Sequence, residues 1–174
     1  MLYTQTMSDG QDRLNFEYYI KQGEPDKSYN CYAWQTAIGL QAVDGLKTSQ
    51  YLINTAIKNI EGDISIDEAE KLIDSYYREN AGKNIGSRTE EADKVSARIA
   101  KILSKKTFDF TPDGYIKIHR ELFNGIYNHA GKIRKYNITK SEWILDGDTV
   151  IYGDARQLKS NLEYDLSEER KVDY

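Results

Sequence analysis

The strongest constraint on the fold is a helical spacing of apolar residues through most of the chain. After residues 1–28, for which we expect a flexible N-terminal arm, apolar side chains recur at three- and four-residue steps, the period of an amphipathic helix. Gly45 and Gly62 fall where two such segments end, as is typical of helix C-termini. Residues 29–80 therefore predict a compact unit of three helices. The apolar face of the first helix is expected to contain Ala33, Ala37, Leu40 and Val43.

Polar residues with a preference for helix N-termini mark where the later helices begin. Thr48 or Ser49 can cap the second helix, and Ser65 with Glu68 has the spacing of a capping box before the third. Residues 81–88 contain two glycines and few apolar residues, so they predict a linker. A fourth helix is expected from about Thr89. Thr111 followed by Pro112 predicts the start of a fifth helix, which we expect Gly131 to end.

The apolar period then changes from helix to strand. The pair Asp146-Gly147 is a favoured two-residue turn, and it lies between two runs of strand-forming residues. The predicted hairpin strands contain Trp143, Ile144 and Leu145 before the turn and Thr149, Val150, Ile151 and Tyr152 after it. A last helix is expected to begin near Asp154 and Gln157. The predicted fold class is therefore mainly α with one β-hairpin.

Composition narrows the classes of partner and compartment. A net charge of −4 argues against a nucleic-acid partner, because such proteins usually carry a basic surface that neutralises phosphates. Cys31 is the single cysteine, so neither an intrachain disulfide nor a cysteine metal cluster can form. No apolar run reaches the ~20 residues of a membrane span. These features predict a cytoplasmic protein with no membrane partner.

Residue chemistry alone does not specify a catalytic centre. The two histidines, His119 and His129, have no partner at metal-ligand spacing, so we expect no metal site. A glycine-rich phosphate loop and a Gly-x-Ser-x-Gly nucleophile elbow are both absent from the sequence. We therefore expect no catalytic residue in this chain.

Residues 118–140 resemble the segment that precedes the catalytic core of Fic-domain protein adenylyltransferases. The segment contains His-Arg-x-Leu-Phe, then Ile-Tyr, Ala-Gly-x-Ile-Arg and Asn-Ile in the family's order, with His129 where tryptophan is common. The resemblance implies structural roles for five residues of the motif: His119, Arg120, Gly131, Arg134 and Asn137. It also implies that the hairpin at 143–152 is the family's flap, which binds a protein target by strand addition. The alternative is a hairpin that only covers the core.

A second resemblance lies in the first helical unit. Residues 37–49 and 62–69 look like the three-helix antitoxin of class I Fic toxin–antitoxin pairs, which inhibits through a Ser/Thr-x-x-x-Glu-Gly helix. Here Asp44 takes the place of the glutamate and Gly45 matches, whereas Leu40 replaces the hydroxyl residue. The resemblance implies an inhibitory motif at Asp44 and Gly45. The alternative is that these two residues only end a helix.

Together the two resemblances imply the N-terminal regulatory and target-docking part of an enzyme that transfers AMP from ATP to a protein hydroxyl. Residues 89–174 would be the N-terminal part of the Fic domain. The family's His-Pro-Phe-x-Asp/Glu-Gly-Asn-x-Arg motif does not occur in the sequence, so we expect this chain to be inactive, with ATP and magnesium bound only by a complete domain. The alternative is a non-enzymatic, antitoxin-like regulator of an intact Fic enzyme. Expected partners are thus a protein target at the flap, and a Fic catalytic domain or a second copy of this chain.

Overall fold

A computed structural model describes residues 14–81, 87–105, 107, 109–141 and 149–172. Within these ranges the protein is mainly helical and has one two-stranded antiparallel sheet. The mainly α fold class with a hairpin is therefore confirmed. The chain divides into two compact units, Met1–Lys106 and Thr107–Tyr174. None of the helices in the described ranges combines the length and the apolar character that crossing a membrane requires.

The first unit is a bundle arranged around its longest helix. Its helices are α1 (Phe16–Lys21), α2 (Pro25–Val43), α3 (Gln50–Glu61), α4 (Ile66–Glu79) and α5 (Ser87–Ser104). Helix α2 packs against α1, α3 and α5, and α4 packs against α3 and α5.

Local capping sets the ends of these helices. The Ser49 side chain accepts a hydrogen bond from the Leu52 N–H at the start of α3, and Gly62 ends α3 with φ of 87°. Ser65 and Glu68 form both hydrogen bonds of the predicted capping box. Helix α2 begins at Pro25, earlier than predicted, because proline is well accepted in the first helical turn.

Residues 14–28 are packed, which differs from the flexible arm predicted for residues 1–28. Tyr19 of α1 is buried, and its hydroxyl donates to Glu61 Oε1 at 2.9 Å. The Ser28 hydroxyl donates to the carbonyl of Phe16. An aromatic side chain and two hydrogen bonds thus hold α1 in the first unit. Residues 1–13 lie outside the described residues.

The inner face of α2 differs from the predicted one at its C-terminal end. Trp34, Ala37 and Gln41 are buried, whereas Leu40 is 50% exposed and Val43 is 83% exposed. A stripe through Gln41 leaves Val43, two residues further on, on the opposite side of the helix. The expectation that Leu40 and Val43 face the core was therefore wrong.

Helix α5 belongs with the first unit. It packs along α2 and α4, and its Lys101 pairs with Asp67 and Glu70 of α4 at 2.7 and 2.8 Å. The division between the units thus follows Lys106, whereas the sequence predicted a linker at 81–88 and a second domain from 89. Residues 82–86 of that linker lie outside the described residues.

The second unit contains α6 (Pro112–Phe123), β1 (Thr139–Ser141), β2 (Thr149–Ile151) and α7 (Leu158–Glu169). Thr111 caps α6 as predicted, but the helix ends at Phe123 rather than at Gly131. Gly125 follows with φ of 74°, which breaks the helix. None of the described residues of this unit is buried.

The hairpin is present with a different register from the predicted one. A two-residue turn at Asp146-Gly147 would pair Ile144 with Thr149, but the structure pairs Ser141 with Thr149 and Lys140 with Val150. The predicted turn residues, Asp146 and Gly147, lie outside the described residues. Trp143, Ile144 and Leu145 lie outside the described residues.

Candidate functional site

The end of α2 is closed by a tight, glycine-dependent turn. The Gly45 N–H donates to Ala42 O, and the Leu46 N–H donates to Gln41 O, which is the Schellman pattern of helix termination. Gly45 has φ of 70°, a conformation that glycine adopts without strain. Leu46 is buried and anchors the chain directly after the turn. Asp44, the C-terminal capping residue, is held between the helix and this anchor.

Asp44 is an exposed acid at a helix end that attracts cations. Helix C-termini carry partial negative charge, and the last turn of α2 contains no basic residue. Among the described residues no lysine or arginine forms an ion pair with Asp44. Leu40 and Val43 expose apolar surface directly beside it. The end of α2 therefore combines an uncompensated negative charge with an apolar patch.

A buried carboxylate on α5 holds the segment that follows Asp44. Asp93 is fully buried and accepts hydrogen bonds from the Ser49 N–H at 2.8 Å, the Ser49 hydroxyl and the Tyr77 hydroxyl at 2.6 Å. Burial raises the pKa of Asp93, against the opposing effect of these donors. It also raises the pKa of Tyr77. Asp93 thus joins the start of α3 to α4 and α5.

In the second unit, three residues of the Fic-like motif line one cleft. His119, Gly131 and Arg134 border a space of about 270 Å³ with apolar walls that include Ile116 and Leu158. Burial, together with the nearby His129, lowers the pKa of His119. Its Nδ1 accepts the Gly131 N–H at 2.8 Å, which leaves the proton of the neutral ring on Nε2.

Gly131 is held close to Arg120, another residue of the motif. A Cβ at position 131 would lie 2.7 Å from Arg120 Cβ, and the φ of Gly131 is 69°. Both the space and the backbone conformation therefore require glycine. His119 and Arg120 thus contact the Ala130-Gly131 turn from α6.

Arg134 and Asn137 close the base of the hairpin. The Arg134 guanidinium donates to Tyr136 O at 2.7 Å and to Gly153 O, and Asn137 Oδ1 accepts the Ala155 N–H at 2.7 Å. Arg134 and Asn137 precede β1 in the chain, and Gly153 and Ala155 follow β2. The two side chains therefore tie the segment before β1 to the segment after β2. Asp154, near which the last helix was expected to begin, binds Arg156, and α7 begins at Leu158.

Among the residues that the structure describes, no strand pairs with the outer edge of β2. The Tyr152 N–H donates to Ile138 O, so 138 and 152 form a hydrogen-bonded pair. Hydrogen-bonded pairs alternate with non-hydrogen-bonded pairs along an antiparallel ladder. The backbone N–H of Val150 therefore also points to the partner strand, and the N–H groups of Thr149 and Ile151 point away from it. Ile151 is 81% exposed. This edge can accept another strand.

Metal and nucleophile chemistry find no support in the described ranges. In those ranges no group of three histidine, cysteine or acidic side chains is placed to hold a metal ion. Cys31 is buried, and desolvation raises its pKa to about 11, which keeps the thiol protonated and unreactive at neutral pH.

Asp93 is the residue that sequence reasoning missed. It directly follows Ala92 on the apolar stripe of α5, and Ser96, one turn further, is also fully buried. An acidic residue beside the apolar stripe of a helix was the feature of the sequence that could have indicated a buried carboxylate.

Comparison of the chain with family models, with curated proteins and with solved structures finds no match.

Proposed function

We propose that this chain is the regulatory and target-docking part of a Fic-type protein adenylyltransferase. The first unit would inhibit a catalytic domain through Asp44 at the end of α2, and the hairpin would bind the protein that is modified. ATP and magnesium would be bound by the catalytic domain that carries the signature motif. The alternative function is that of a non-enzymatic regulator that binds a separate Fic enzyme.

The main support is the way the motif residues act together. Arg134 and Asn137 hold the base of the hairpin, and His119 with Arg120 holds the turn at Gly131. Two of the residues that carry the resemblance thus tie the base of the hairpin, and three others fix the turn that precedes it in the chain. A flap that pairs with an extended segment of any sequence needs an outer strand edge such as that of β2.

The lack of buried residues in the second unit supports a larger assembly. A unit whose described side chains all remain accessible has little apolar burial to offset chain entropy. The apolar walls of the 270 Å³ cleft would be covered in a complete domain. A catalytic domain that packs on this side would supply the missing core.

The end of α2 supports the inhibitory role. Its exposed carboxylate lacks a basic neighbour in the last helical turn and lies beside the exposed Leu40 and Val43. A catalytic site that presents an arginine next to an apolar groove would complement both the charge and the apolar surface. Gly45 contributes by closing the turn that exposes Asp44.

The inhibitory role is tested by binding to a Fic-type catalytic domain with an intact signature motif, measured by calorimetry. Asp44→Ala is expected to weaken binding at least about tenfold, since loss of a charged hydrogen-bonded partner costs roughly 1.5–3 kcal/mol. Asp63→Ala is the matched control, because Asp63 is also an exposed acid at the end of a helix. Equal binding by native protein and Asp44→Ala would reject this role.

The hairpin role is tested with two proline variants of neighbouring residues in β2. Ile151→Pro removes an N–H that points to the outer edge, whereas Val150→Pro removes one that belongs to the hairpin itself. Ile151→Pro is expected to leave the Tyr152 amide protected from hydrogen exchange and to abolish capture of target protein by a complete domain carrying this hairpin. Unchanged capture by Ile151→Pro would contradict strand addition at this edge.

A further inference from the structure

The carboxylate of Asp93 is buried and is bound by neutral hydrogen-bond donors. It is fully buried on α5, and none of the described lysines or arginines forms an ion pair with it. A buried carboxylate is costly unless donors compensate for the lost water. Here the compensation comes from neutral donors only, and two of the three belong to Ser49.

Ser49 lies at the end of the short connection between α2 and α3, which begins with Asp44. Leu46 anchors the first part of this connection in the core. The Ser49 hydroxyl accepts from the Leu52 N–H and donates to Asp93, and the Ser49 backbone N–H also bonds to Asp93. The connection is therefore held at both ends, and one of its bonds fixes the main chain itself.

We propose that Asp93 is a positioning residue that holds the connection Asp44–Ser49 in one conformation and so presents the Asp44 carboxylate ready to bind. This inference rests on the proposed docking role of Asp44. A connection that was free before binding would have to be ordered on binding, at a cost in chain entropy. A connection that is already ordered avoids that cost.

The tether also makes α5 part of the inhibitory unit. Helix α5 contributes Asp93 to the α2–α3 connection, and the Tyr29 hydroxyl of α2 donates to Leu103 O of α5 at 2.8 Å. A three-helix unit that ended at residue 80 would lack both contacts. The docking surface at Asp44 thus depends on a helix beyond that boundary.

Two variants separate positioning from general stability. Asp93→Ala removes all three hydrogen bonds, whereas Tyr77→Phe removes the interactions of the Tyr77 hydroxyl and leaves both Ser49 bonds to Asp93 in place. Both lose buried hydrogen bonds of the same carboxylate, but only Asp93→Ala removes the bonds from Ser49 to Asp93. Calorimetric binding to the Fic-type catalytic domain is measured at a temperature where circular dichroism shows both variants to be folded.

Asp93→Ala is expected to bind about tenfold more weakly than the native chain, and Tyr77→Phe to stay within about twofold. The Gly45 and Leu46 amides are expected to exchange hydrogen faster in Asp93→Ala only. If Asp93→Ala does not fold, Ser49→Gly replaces it, because glycine is accepted at an N-cap while the hydroxyl bond to Asp93 is lost. Several-fold weaker binding of Ser49→Gly is then expected.

The inference is overturned if Asp93→Ala, or Ser49→Gly in its place, binds like the native chain. It is also overturned if Tyr77→Phe weakens binding as much as they do. Asp44→Ala is measured in parallel. If Asp44→Ala binds normally, the docking role fails, whereas normal exchange at Gly45 and Leu46 in Asp93→Ala rejects the tether itself.

Discussion

Asn59 joins three parts of the first unit through two hydrogen bonds, and its loss offers a sharp test of the packing. Asn59 is 7% exposed on α3. Its Oδ1 accepts the Trp34 indole N–H of α2 at 2.9 Å, and its Nδ2 donates to the Ile64 carbonyl at 2.9 Å. Asn59→Ala therefore leaves a fully buried indole N–H and a backbone carbonyl without their partner.

The expected cost follows from these two groups. Each buried group left without a partner costs about 1–3 kcal/mol. A cavity of about 420 Å³ borders Trp34 and Asn59 and admits water, which favours the lower part of that range. Alanine also gains roughly 0.6 kcal/mol of helix propensity over asparagine. The net loss in the free energy of unfolding is expected to be about 1.5–3 kcal/mol.

Asn54→Ala is the matched control, with the same substitution five residues earlier on α3. Asn54 is exposed and accepts only an i,i+4 bond from Gln50, so its loss costs a few tenths of a kcal/mol and the propensity gain roughly cancels it. Both variants are made in a Trp143→Phe background, so that Trp34 is the only tryptophan. Their unfolding in urea is followed by the fluorescence of Trp34. Free energies of unfolding of the two variants that agree within about 0.5 kcal/mol would show that Asn59 does not stabilise the first unit through these two bonds.

Three further predictions use other described residues. Cys31, with its pKa raised to about 11, is expected to react slowly with a thiol reagent at pH near 8 in the native protein and rapidly in denaturant; equal rates would contradict its burial. Gly131→Ala is expected to destabilise the chain by about 1–3 kcal/mol, because φ of 69° is strained for alanine and the new Cβ meets Arg120; unchanged urea unfolding would contradict this. Asp93 binds its proton more tightly in the native than in the unfolded state, so its contribution to stability falls as pH rises from its ordinary pKa to the raised native value. Urea titrations across that pH window are expected to show this slope in the native chain and its loss in Asp93→Asn.

The parts of the fold that depend on local chemistry could be predicted from sequence. Ser49, Ser65 and Thr111 cap helices as expected, because a capping side chain needs only a backbone N–H two or three residues away. Gly62 likewise ends α3. These interactions lie within one helical turn, so no knowledge of the tertiary fold is required.

The parts that depend on distant contacts could not be predicted. Leu40 and Val43 fit the apolar period, but only the placement of α3 and α5 decides which side of α2 is covered. The end of α6 was misplaced because Gly125 was not recognised as its terminator.

The candidate site shows the same division. Asp44 and Gly45 could be singled out from sequence because they follow the apolar stripe of α2 and match a short motif. Asp93 could not be connected to them, because 44 residues separate it from Ser49 and the bond is made only when α5 packs on the first unit. The hairpin register also differs, since residues before β1 and after β2 hold its base.

In the proposed function, Asp44 restrains a Fic-type catalytic domain. The most direct measurement adds this chain in increasing amounts to such a domain and follows transfer of radiolabelled AMP from ATP to a protein target. The native chain and Asp63→Ala are expected to inhibit to the same extent, while Asp44→Ala is expected to need at least about tenfold more protein for the same effect. Inhibition that is absent with the native chain, or that survives unchanged in Asp44→Ala, would contradict the claim.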